Sequence, residues 1–62
     1  MASMIEARER QKIHLLALLK IKAANRGKEV LELQGEIVNA VAAMEHEDIA
    51  WIEKLTGTKA ID

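Results

Sequence analysis

Residues 30–55 read VLELQGEIVNAVAAMEHEDIAWIEKL. Val30, Leu33, Ile37, Val41, Met44, Ile52 and Leu55 recur in this stretch at multiples of three or four residues. At about 100° per residue they share one face, with Ala40 and Trp51 at its edge, which is the apolar stripe of an amphipathic helix. At 1.5 Å per residue the stripe runs for roughly 40 Å. A helix that long cannot cover its own stripe, so the rest of the chain, and then a partner, has to supply the cover.

The residues before it supply a first cover. Ser3 followed by Glu6 is a possible capping box, and helix-compatible sequence runs on from there, so a first helix is expected over about 4–25. Glu6 before Arg10 and Glu9 before Lys12 are favourable pairs across one turn. Asn25-Arg26-Gly27 is the strong internal stop, because Gly27 can take the left-handed conformation without a Cβ clash. The pattern predicts a turn over 25–28, a second helix over about 29–56, a C-cap at Gly57 and a loose tail over 57–62. The expected fold class is all-α: a single 1–62 domain shaped as an antiparallel helical hairpin. In that hairpin, residues whose numbers sum to about 53 lie level.

A hairpin leaves apolar surface over. Ile13, Leu16 and Ala23 make one stripe on the first helix, widened by Leu15 and Leu19, while Leu18 and Ile21 point away beside His14. The second helix carries a flank line of Leu31, Val38, Ala42 and Ile49. One neighbour covers about 100° of a helix, and exposed stripes of this extent exceed what a soluble monomer normally carries. With only two helices in the chain, the closing step is self-association, a homodimer forming a coiled-coil-like four-helix bundle. The expected interface residues are Leu15, Leu18, Ile21, Leu31, Val38, Ile49 and Trp51. Gly35, inside the second helix, costs about 1 kcal/mol relative to Ala. It marks either close helix approach or simple tolerance.

Composition narrows the function. The 62 residues have a net charge of −1, no Cys, no Pro and one aromatic residue, Trp51. Disulfides and thiolate metal sites are therefore absent, and a small chain then turns to oligomerisation for stability. The near-neutral charge offers no broad field for nucleic acid or anionic lipid. Apolar runs such as Leu15 to Leu19 are too short for a membrane span, and no secretory signal is expected. A cytoplasmic protein without a membrane partner is the expectation.

The candidate chemistry centres on Glu45-His46-Glu47-Asp48. Asp48 falls in the middle of the apolar stripe. Glu45 and Asp48 are one turn apart, and the hairpin level rule sets Glu6 and Glu9 opposite them. Hard cations such as Mg²⁺ prefer oxygen ligands of this kind. The spacing Glu6-x-x-Glu9 with Glu45-x-x-Asp48 resembles the paired acidic helices of the all-α NTP pyrophosphohydrolases, a resemblance limited to these four residues. It implies a Mg²⁺-dependent nucleotide hydrolase.

The competing reading is an ion-pair network of Arg8, Lys12, Glu45 and Asp48, since a carboxylate on a core face is tolerable when paired and costly otherwise. That reading is preferred here, with no metal, cofactor or catalytic residue assigned. Neither His14 nor His46 has a Glu three residues before it, so a di-iron carboxylate bundle is not indicated. The hydroxyls Ser3, Thr56 and Thr58 lie near the chain ends without a positioned base. Arg8, Arg10 and Lys12 form a short basic run that would suit a nucleic-acid-binding helical-hairpin dimer, a less favoured alternative. The sequence therefore points to a non-enzymatic, self-associating helical protein: a small regulator, adaptor or assembly factor that binds itself and another protein.

Overall fold

The computed structural model describes residues 4–25 and 30–61. Among them are three α-helices and no strand: α1 (Met4–Asn25), α2 (Leu31–Ala42) and α3 (His46–Thr56). The expected Ser3 cap and the Gly27 turn fall outside the described residues.

The helix α1 has the expected bounds. Glu6 in its first turn and Lys22 in its last suit the helix dipole, and Asn25 Nδ2 donates to the Ile21 carbonyl at 2.9 Å at the C-terminal end.

The single long helix expected over 29–56 is instead two helices. At the end of α2 the amides of Ala43 and Met44 donate to the carbonyls of Ala40 and Val41, three residues back. These are the tight bonds that close a last helical turn. Glu45 is extended (φ −71°, ψ 144°), and its carbonyl accepts from the amides of Asp48 and Ile49, which starts α3. The bend falls where the stripe has its gap, since no large apolar residue lies between Met44 and Ile49. A straight helix would carry residues 50–56 past the start of α1 and leave Ile52 in water. Folded back, Ile52 is fully buried.

The direction of α3 is therefore opposite to the expectation. Along α1 and α3 the contacts pair Arg8 with Asp48 and Lys12 with Trp51, and beyond α3 Lys22 meets Lys59 and Ala60. Both numbers rise together, so α3 runs parallel to α1. The helix α2 runs antiparallel to α1: its C-terminal end lies beside Gln11 and His14, and its Leu31 end beside Ala60. Both α2 and α3 pack on α1.

This third helix moves the buried face of α1. The core comprises Leu15, Leu18, Leu19, Leu33, Ile37, Ile52 and Ala60, with Leu16, Ala40, Val41, Met44 and Ile49 packed around it. Leu18, expected to point away, is buried, whereas Ile13, expected inside, is 63% exposed. The reason is geometric: Leu15, Leu18 and Leu19 lie between the two neighbours, and Ile13 lies on the far side. Val30 and Leu55 also leave the expected stripe. Val30 precedes α2 in an extended conformation, and Leu55 is 58% exposed.

At the C-terminal end Thr56 Oγ1 donates to the Ile52 carbonyl at 2.9 Å, and Gly57 takes the left-handed conformation at φ 68°, the cap expected there. The described tail is not loose. Lys22 Nζ donates to the carbonyls of Lys59 (2.7 Å) and Ala60 (3.3 Å), and Glu53 Oε2 accepts from the Ala60 amide at 2.8 Å. These bonds hold Ala60 against the core. No described helix is long and apolar enough to cross a membrane.

Candidate functional site

The bend between α2 and α3 sets Asp48 in the first turn of α3, facing the N-terminal half of α1. A carboxylate is favoured there because the first-turn amides carry partial positive charge. Asp48 is nonetheless buried, so its charge needs a partner. Arg8 supplies one. Its Nε donates to Asp48 Oδ2 at 2.9 Å and its Nη2 to Asp48 Oδ1 at 3.1 Å, the two-pronged match of a planar guanidinium to a carboxylate. Nη2 also lies 3.6 Å from Glu47 Oε1 at the solvent edge.

The hydrogen bond from Arg8 is the main reason the Asp48 carboxyl is held below its ordinary pKa. Burial opposes the shift, and the charges of Arg8 and Lys12 reinforce it. The Arg8 guanidinium is correspondingly pushed up, first by the Asp48 hydrogen bond and then by the Asp48 charge.

The other acids go elsewhere. Glu9 accepts from Lys12 Nζ at 3.2 Å. Glu45 precedes α3 without a side-chain cap bond, and it touches the network only through its charge on Arg8. Among the described residues no group of three or more His, Cys, Asp or Glu side chains converges to hold a metal ion. The set Glu6, Glu9, Glu45 and Asp48 is thus not assembled into a cation site, and both Asp48 oxygens face a guanidinium. The level rule had placed these acids opposite one another, and the reversal of α3 removes its basis.

The basic run is divided too. Arg8 and Arg10, two residues apart, point about 200° apart around α1. Arg8 is held by Asp48, and Lys12 Nζ lies 5.5 Å from the Trp51 ring centroid as well as on Glu9. Such a cation over an aromatic face is a modest attraction at a partly exposed site. Trp51, expected to cap the open end of a hairpin, lies half-exposed on the flank of α3 under Lys12. His14 and His46 are both exposed.

The residues expected at an interface separate into two groups. Leu15 and Leu18 belong to this chain's own core, and Ile49 packs against it. Ile21, Leu31, Val38 and Trp51 face outward, with 50–79% of their surface exposed. The structure adds Ile13 and Leu55 to the outward set, and Ile61 at 55% exposure. Ile61 lines a groove with Leu31, Gly35 and Val38. Sequence reasoning missed this use of the tail, where the adjacent apolar pair Ala60 and Ile61 was the one available signal.

The arrangement offers a part-buried structural ion pair and several outward apolar faces. Compared with protein-family models, curated proteins and solved structures, the chain matches none.

Proposed function

We propose that this chain is a non-enzymatic, self-associating helical protein that acts as a small regulator, adaptor or assembly factor through protein–protein contacts. The observation that carries the proposal is the set of large apolar side chains left outside after all three helices have packed. Ile13 and Ile21 on α1, Leu31 and Val38 on α2, and Trp51 and Leu55 on α3 each expose half or more of their surface. Singly, such residues are ordinary on a soluble surface. Lined along helix faces, they are the material of an interface.

The dimeric four-helix bundle expected from the sequence counted two helices per chain. A homodimer of three-helix chains brings six, with its contacts on outer faces rather than on Leu15 and Leu18. Sedimentation equilibrium across micromolar concentrations tests the proposal. A dimer or larger species, with a melting temperature that rises with protein concentration, is expected. A helical monomer throughout that range overturns it.

A further inference from the structure

We infer that the outer face of α2 is the surface on which a second copy of this chain docks, antiparallel, about a two-fold axis passing between the levels of Gly35 and Val38. The inference rests on the self-association proposed above and names its site.

The face consists of Leu31, Gly35, Val38 and Ala42, spaced four, three and four residues apart, so they form one row along the helix. All four are exposed, Leu31 at 79% and Val38 at 51%. The row alternates large and small. Reversed, it reads small and large at the same levels. An antiparallel copy therefore sets Leu31 against Ala42 and Gly35 against Val38, and the two-fold repeats both pairs. Each large side chain meets a small one, as ridge-into-groove packing requires, and the contact is isologous. The neighbours flanking the row, Gln34 and Asn39, are uncharged.

Gly35 gives a second reason. A Cβ placed there meets nothing within 4 Å, so nothing in this chain's own packing requires glycine. Its backbone is regular α-helix, where glycine costs about 1 kcal/mol against Ala. A partner helix passing close over position 35 accounts for it, because the missing side chain is the hole that Val38 of the other copy fills.

Ile61, beside Leu31 and Val38 in the same groove, widens the row so that more than one helix edge takes part.

Two variants test the site. Gly35→Leu fills the hole from a position where a Cβ meets nothing within 4 Å, and it replaces glycine by a better helix former. It is expected to weaken dimerisation at least tenfold in sedimentation equilibrium while helix content by circular dichroism is kept. The chain has no cysteine, so single cysteines report proximity cleanly. In the proposed register the two copies of position 38 are offset by roughly 4.5 Å along the axis, within disulfide reach for closely packed helices. Val38→Cys is expected to cross-link on mild oxidation, and Ala17→Cys, on the outer face of α1, is not. If the chain dimerises but Gly35→Leu leaves the dissociation constant unchanged, or Ala17→Cys cross-links in place of Val38→Cys, this site is overturned and self-association stands on another face. If the unmodified chain is monomeric to about 100 µM, both the site and the self-association fall, and the face is left to a different protein. If Gly35→Leu fails to fold, the cysteine pair still decides.

Discussion

Arg8 and Asp48, forty residues apart, share two hydrogen bonds of 2.9 and 3.1 Å that join the first helix to the start of the third. The carboxylate side chain is 10% exposed and the guanidinium side chain 50%, so the pair sits at the edge of the core with its cation half in water. Replacing Asp48 by Asn keeps the shape and removes the charge. The melting temperature should fall, because Arg8 then faces an amide where it had a carboxylate. The double variant Asp48→Leu with Arg8→Met should recover much of the loss, since an apolar pair has no charges to desolvate. The drop in Asp48→Asn should be the same with and without Mg²⁺. A Mg²⁺-dependent rise in the melting temperature that Asp48→Asn abolishes would instead support the nucleotide-hydrolase alternative.

The same pair sets a pH dependence. The folded pKa of Asp48 lies below its ordinary value, chiefly through the Arg8 hydrogen bond. A carboxyl of this kind binds its proton more weakly folded than unfolded. Its contribution is complete above the unfolded value of about 4 and is lost as pH falls through the lower folded value. Arg8 stays charged throughout and adds no slope there. Urea titrations between pH 6 and 2.5 should show stability declining in the acid range, and the decline should be shallower in Asp48→Asn. Equal slopes in the two proteins would show that Asp48 is not the group responsible.

Ile52 and Leu55 share one stripe in the sequence, yet the fold separates them. Ile52 is fully buried and Leu55 is 58% exposed. Ile52→Ala should cost about 2–5 kcal/mol through lost contacts and a residual cavity. Leu55→Ala should cost about 1 kcal/mol or less, as surface changes do. Chemical denaturation of both variants measures the difference. Comparable losses would mean that Leu55 is covered as well.

Glu53 and Lys22 hold the tail from two sides, one accepting from the Ala60 amide and the other donating to the carbonyls of Lys59 and Ala60. Glu53→Ala should speed hydrogen exchange at the Ala60 amide by an order of magnitude or more, with little change at the amides of α1. Unaltered exchange would show that this amide is protected by burial rather than by the carboxylate.

Much of this fold is legible in the sequence, and the failures have one source. The first helix is visible because an uninterrupted run of helix formers fills it, and Gly57 is visible as a stop because glycine takes the left-handed turn at no steric cost. Asp48 stood out as a charge within an apolar stripe, and its two candidate cations, Arg8 and Lys12, could be named. What could not be read was the bend at Ala43–Glu45. It contains no Gly, no Pro and none of the usual N-cap residues, and Ala43, Met44 and Glu45 are all good helix formers. Local propensity favours continuing the helix there. Burial of Ile49 and Ile52 against α1 favours turning back, and tertiary packing wins. Missing that turn misdirected the level rule, the inner face of α1 and the helix count on which the four-helix bundle relied.

The bend can be tested at His46, the first residue of α3. Proline is well accepted at the first position of a helix, where its fixed φ suits the turn and its missing amide hydrogen leaves no helical bond unmade. The preceding residue must then be extended, and Glu45 already is, at φ −71° and ψ 144°. His46 is exposed, so its side chain takes little packing with it. His46→Pro should therefore leave stability within about 0.5 kcal/mol, or raise it slightly by restricting the unfolded chain. In one continuous helix over 29–56, position 46 would lie deep in the interior. Proline would there remove a backbone bond and clash with the preceding turn, at a cost of about 3 kcal/mol or more. Lys54→Pro, well inside α3, is the positive control and should be strongly destabilising. If His46→Pro is as damaging as Lys54→Pro, the second and third helices are one, and the fold-back that buries Ile52 and pairs Asp48 with Arg8 is wrong.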